Sequence, residues 1–123
     1  MNVIKTLIVD DSADFRNLLK QFFSGQNDIK VVGQAENGHE AVEKAAKLKP
    51  DLILMDIRMP RMNGLKAMNQ IKGLEKIKMI VLTAFDIQEY REAAKEAGAS
   101  AFVIKKSLVS KLMPAIQEAF KES

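Results

Sequence analysis

Leu7-Ile8-Val9-Asp10-Asp11 and Leu52-Ile53-Leu54-Met55-Asp56 decide the fold of this chain. Each is a short apolar run closed by acid. Such runs read as strands buried on both faces of a parallel sheet. The acids that close them stand at the carboxyl edge of that sheet, where open α/β folds place their ligands. Asp10, Asp11 and Asp56 gathered in one crevice repel one another, and each costs desolvation energy. The arrangement points to a divalent cation held among them.

Outward from these two stretches, apolar runs and amphipathic segments alternate. Strands are expected near Lys5–Val9, Lys30–Ala35, Leu52–Met55, Met79–Leu82 and Ala101–Ile104, with helices near 13–24, 38–48, 64–73, 87–97 and 109–121. The caps agree with this alternation. Ser12 suits an N-cap with Asp14 in the positive first turn, and Asn37-Gly38-His39-Glu40 fits a capping box. Lys49-Pro50-Asp51 stops the second helix, and Gly98 suits the end of the fourth. Pro114 is expected at the margin of a first turn, if Ser110 caps the last helix. Five βα units joined by right-handed crossovers make a doubly wound α/β sheet, helices on both faces, in one domain over 1–123.

Composition excludes several classes. The chain has 123 residues, 47% hydrophobic and 28% charged, the range of a globular domain. No apolar run nears the roughly 20 residues of a membrane helix, and the start turns acidic too soon for a signal peptide. The absence of cysteine excludes a disulfide framework and a thiolate metal site. A cytoplasmic protein is expected. Net charge is only +3, with lysines interleaved among acids. The densest basic stretch, Arg61 to Lys78, reads as a solvated face, so no direct nucleic-acid binding is expected. His39, the only histidine, reads as a surface residue, and the methionines as core filler or loop residues.

Four signals line up in chain order. Asp10-Asp11 ends the first strand. Asp56-Ile57-Arg58-Met59-Pro60-Arg61-Met62-Asn63-Gly64 follows the third. Thr83-Ala84 ends the fourth, and Lys105 ends the fifth, three residues after Phe102. Taken singly, Thr83 reads equally well as a β-branched edge residue, Lys105 as a solvated lysine, Phe102 as core, and Asp56 as a helix cap or turn former. In this joint order they resemble the receiver domain of bacterial two-component response regulators, over essentially the whole chain.

That resemblance implies a flavodoxin-like sheet of order 2-1-3-4-5, the order for which a chemotaxis member of this family serves as a standard example. Strands one and three then lie side by side. Asp56 resembles the phosphoacceptor. Asp11, Asp56 and the backbone carbonyl of Arg58 resemble Mg²⁺ ligands (Mn²⁺ being the alternative ion), and Asp10 an acid that holds the metal through water. Thr83 and Lys105 resemble the residues that bind the phosphoryl oxygens. Thr83 and Phe102 match the switch pair that repacks the face of helix four, strand five and helix five. The implied protein is a regulatory switch, not an enzyme. Its implied partners are a sensor histidine kinase or phosphotransfer protein, a downstream protein or effector domain, and a second copy on phosphorylation. No membrane is implied.

The physical chemistry selects the same parts. A carboxylate can act as nucleophile and give an aspartyl phosphate, and phosphoryl transfer needs mainly positioning and charge neutralisation. Three ionised acids carry −3, which Mg²⁺ and Lys105 together balance. The partner face is expected to show Ile87, Tyr90, Arg91, Lys95 and Phe102, with Ile87 and Tyr90 apolar for a solvated helix. The family often has a cis proline after the strand-five lysine. Here Lys106 follows, so the loop is expected to be trans or strained. Arg58 and Phe85 are bulky and expected to shield the phosphoryl group from water. The alternatives are weaker. A Mg²⁺-dependent aspartate phosphatase expects alternating acids, not neighbours. A flavin module is disfavoured by the acidic first loop. A receiver fold that only binds partners is disfavoured by a site with every part present.

Overall fold

The computed structural model describes residues 3–57, 63–74 and 76–121. Five parallel strands, β1 Ile4–Val9, β2 Ile29–Ala35, β3 Leu52–Met55, β4 Lys78–Thr83 and β5 Ala101–Ile104, lie in the order 2-1-3-4-5. Five α-helices alternate with them: α1 Ala13–Ser24, α2 Gly38–Leu48, α3 Gly64–Ile71, α4 Gln88–Glu96 and α5 Leu108–Ala119. A short 3₁₀ turn, Lys105–Ser107, joins β5 to α5.

Side-chain alternation along the strands builds two cores. Leu7, Val9, Ile53, Met55, Met79 and Val81 pack with Ala41, Ala45, Ala67, Met68, Ile71 and Ala94, so α2, α3 and α4 cover one face. Ile8, Leu52, Leu54, Ile80, Leu82 and Val103 pack with Leu19, Phe23, Leu108, Leu112 and Ile116, so α1 and α5 cover the other. Consecutive residues of one strand serve opposite faces. This is why the central strands read as unbroken apolar runs.

The helix ends follow local chemistry. The Ser12 side chain accepts the Phe15 N–H, and the Asn37 side chain accepts that of Glu40. Glu40 reaches back one residue further than a strict capping box, taking the N–H of Glu36 at 2.8 Å. Gly98 closes α4 with φ +100°, a left-handed conformation that glycine adopts without strain. Pro114 corrects the sequence expectation. α5 starts at Leu108 after Ser107, so Pro114 lies inside the helix and forgoes the bond to the Ser110 carbonyl. The structure has no cis peptide among the described residues, and the Lys105–Lys106 bond is trans.

Candidate functional site

Register places the acids. Val9 of β1 lies opposite Met55 of β3, so the next residue of each strand, Asp10 and Asp56, emerges at the same level on neighbouring strands. Backbone bonds carry the ladder one step past the strands. Asp56 donates to the Val9 carbonyl and Asp10 to the Ala35 carbonyl, each at 3.0 Å. Asp10 and Asp56 are buried, 2% and 7% exposed, while Asp11 is exposed. One carboxylate oxygen from each of Asp10, Asp11 and Asp56 lies within 4.8 Å of the others.

Lys105 reaches the same edge from beyond β4, as the first residue after β5. Its Nζ stands 2.7 Å from Asp10 Oδ2 and 3.2 Å from Asp56 Oδ2. The Phe15 ring covers another side, its centroid 4.1 Å from Nζ. Burial works against the ammonium charge, but the hydrogen bond to Asp10 and the charges of Asp56 and Asp10 outweigh it. The Lys105 pKa is therefore raised above its ordinary 10.5. Three carboxylates and one ammonium leave about −2 in the crevice, when every acid is ionised.

Asp10 is fixed on three sides. Oδ1 accepts the Ser12 N–H at 2.9 Å, Oδ2 meets Lys105, and the backbone carbonyl accepts Arg16 Nη1 at 2.6 Å. Arg16 is itself held by Gln34 Oε1 at 3.0 Å. The N-terminus of α3 abuts the other acid. A Cβ on Gly64 would stand 2.5 Å from the Asp56 carbonyl oxygen and 2.6 Å from Ile57 Cα, so only glycine fits there. Thr83 is fully buried and its Oγ1 accepts the Phe85 N–H at 3.4 Å. It pairs with Ile104, the residue before Lys105.

The structure thus gathers Asp10, Asp11, Asp56 and Lys105, with Thr83 at the adjoining strand end. Arg58, whose carbonyl the sequence reading assigned to the metal, lies outside the described residues, as do Met59 to Met62. Phe15, Arg16 and the close approach of Gly64 were not read from sequence. The Asn-Gly pair was the only available signal for the last, and nothing local marks the other two.

The second site element is the face of α4 and β5. Phe102 packs half-buried on the core cluster that includes Val81, its partner in register, so it shares a sheet face with Thr83. The Arg91 guanidinium lies 4.7 Å over the Phe102 ring and donates to Asp86 Oδ1 at 2.7 Å. Tyr90 departs from the expected surface. It packs half-buried on the α2–α3–α4 core, so the exposed apolar area of this face belongs to Phe85 and Ile87, 40% and 37% exposed. Lys95 is exposed as expected.

The fold as a whole is that of a receiver domain. The response regulator domain of Thermotoga maritima CheB superposes with a TM-score of 0.91 at 35% identity, covering 99% of each chain. A chain of the CheX–CheY–BeF₃–Mg complex of Borrelia burgdorferi superposes with a TM-score of 0.88 at 26% identity, covering 97% of this chain and 90% of that one. The sequence profile of the response regulator receiver domain matches residues 6–117, and the chain belongs to that family, a regulatory domain of two-component signalling. Among curated relatives, response regulator protein VraR of Staphylococcus aureus is 42% identical over 118 residues, which is 94% of this chain and 56% of VraR. The chain therefore spans about half the length of the curated relatives it matches. The aspartate phosphatase alternative is not favoured. Among the described residues no helix is long and apolar enough to cross a membrane.

Proposed function

We propose that Asp56 accepts a phosphoryl group from a histidine kinase, a phosphotransfer protein or a small phosphodonor, and that this charge change drives the switch. The observation that carries the reading is the pairing of Lys105 with both Asp10 and Asp56 across three converging acids. An Asp56 carboxylate oxygen attacks phosphorus and forms the new P–O bond. The donor's P–N or P–O bond breaks, and its electron pair leaves with the imidazole or the acetate. Lys105, no longer facing an unesterified carboxylate at Asp56, pairs instead with a phosphoryl oxygen. Thr83 keeps its hydroxyl proton available, because Oγ1 accepts from Phe85, and donates it to another phosphoryl oxygen. That contact exists in one state only, which is what a two-state switch requires.

The donor set suits Mg²⁺. Hard carboxylate oxygens, one of them on an exposed residue, surround a crevice with a residual charge of about −2. Asp11 and Asp56 would hold the ion directly, with the Arg58 carbonyl, and Asp10 through water. Bound there, the ion would neutralise the oxygens of the incoming phosphoryl group. Phosphorylation would be read out at the α4–β5–α5 face by a downstream protein or effector domain, or by a second copy.

The test is intact mass spectrometry after incubation with Mg²⁺ and acetyl phosphate. A single phosphate adduct on the wild type, absent from Asp56→Asn, is expected. An undiminished adduct on Asp56→Asn would sink the assignment.

A further inference from the structure

We infer that Phe15 is a positioning residue for Lys105: its ring is a slide along which the ammonium moves from Asp56 to an incoming phosphoryl oxygen. The inference rests on the proposed phosphoryl reading. Its ground is the environment of Nζ, which has Asp10 at 2.7 Å, Asp56 at 3.2 Å and the Phe15 centroid at 4.1 Å.

The three contacts behave differently when Asp56 is esterified. The Asp56 contact loses its ionic partner. The Asp10 contact survives but, as a short charge-assisted hydrogen bond, fixes a direction. Attraction to a ring face is electrostatic and broad, so the ammonium can shift across the ring with little loss. An aliphatic side chain at position 15 would fill space but give no such attraction. The freed ammonium would then gain more from water, since Lys105 retains 20% side-chain exposure.

Phe15 is placed rigidly enough for this role. It lies in the first turn of α1, and its N–H donates to Ser12 Oγ at 3.1 Å. Its side chain packs half-buried on the cluster of Leu19, Leu108 and Leu112. One helical turn therefore presents both walls of the site: Phe15 to the lysine, and Arg16 to the Asp10 carbonyl.

The test separates phosphoryl capture from metal binding. Mg²⁺ alone, then fluoroberyllate with Mg²⁺, is titrated into wild type, Phe15→Leu and Phe15→Tyr by calorimetry. The Lys105 Hε resonances are followed by NMR. Phe15→Leu should weaken fluoroberyllate about fivefold, the equivalent of about 1 kcal/mol, and leave Mg²⁺ affinity within about twofold. Phe15→Tyr should restore wild-type binding. The wild-type Lys105 Hε protons should be shifted upfield by the ring, with and without fluoroberyllate, and lose that shift in Phe15→Leu. Equal weakening of Mg²⁺ and fluoroberyllate, unchanged fluoroberyllate affinity in Phe15→Leu, or no upfield shift in the loaded wild type would each leave Phe15 as packing alone. A wild type that binds Mg²⁺ but no fluoroberyllate would instead remove the phosphoryl reading itself, and this proposal with it.

Discussion

The carboxyl edge of the sheet and the face of α4 and β5 both rest on a cation beside an acid and an aromatic ring. At the edge, Lys105 meets Asp10 and Asp56 under Phe15. On the face, Arg91 meets Asp86 over Phe102. The first set is buried, and its acids hang from strand ends whose register places them. The second is solvated, its ion pair 40% and 59% exposed, and its two charges hang from a loop and one helix turn. Burial amplifies the interaction in the first, and solvent screens it in the second. A fixed centre beside a readily rearranged face is what the proposed switch needs, and the difference in solvent exposure fits both.

Substitutions at the edge should therefore cost far more than those on the face. Gly64→Ala forces a Cβ against the backbone of Asp56 and Ile57 and is expected to destabilise at the upper end of about 1–3 kcal/mol. Gly25, where a Cβ meets nothing within 4 Å and φ is −92°, is the control and should tolerate alanine. Urea unfolding of the two variants reads the contrast directly. Equal effects would mean that the α3 terminus relaxes freely and does not brace the site.

Lys105→Met comes next. It leaves Asp10 and Asp56 facing each other without their cation. A loss of about 1–3 kcal/mol is expected in metal-free protein, below the 3–5 of a fully buried pair because Lys105 is partly solvated. Mg²⁺ should stabilise this variant more than the wild type, measured as the shift in thermal midpoint. The pH dependence has a definite sign. A lysine with a raised folded pKa stabilises fully below its ordinary 10.5 and loses that contribution as pH rises through the higher folded value. Alkaline unfolding curves should then show a wild-type loss above about pH 10.5 that Lys105→Met lacks. A parallel decline in both would dissolve the lysine's link to stability.

On the face, Arg91→Ala should cost only about 0.5–1 kcal/mol, the range for an exposed cation over a ring. Its larger consequence is the exposure of Phe102, readable as faster exchange of the amides around β5. Asp86→Asn is the smallest effect. The hydrogen bond from Arg91 lowers the Asp86 pKa below 3.8, so its contribution is present above that value and lost as pH falls through the lower folded one. Asp86→Asn should therefore lie slightly below wild type at neutral pH and converge with it on acidification. A neutral-pH loss on the face as large as that of Lys105→Met would erase the contrast between the two regions.

How far each region could be read in advance follows the same physics. The positions of β3 and β5 and the extents of α1 and α2 were legible, because a sheet buried on both faces writes itself as apolar runs, while the strand order came from the resemblance to the receiver family. Asp10, Asp11 and Asp56 were legible because strand ends carry them to one edge, and Lys105 joined them through the resemblance to the receiver family. Tyr90 was read as surface and packs inward, since one turn of a short helix admits either orientation. Pro114 was placed at a helix margin, because Ser107 and Ser110 are equally plausible caps until the turn after β5 is seen.

The sequence by itself determined which residues end the strands, and with them the chemistry available: three carboxylates, a lysine, a hydroxyl and an aromatic ring. The tertiary structure alone decided which of these touch. That Lys105 stands nearer Asp10 than Asp56, that Phe15 covers it, and that Arg16 holds the Asp10 carbonyl depend on how β1, β5 and α1 pack across the sheet. Local patterning fixes the periodicity of each element, but contacts between elements remote in the chain exist only once the core has set their separation.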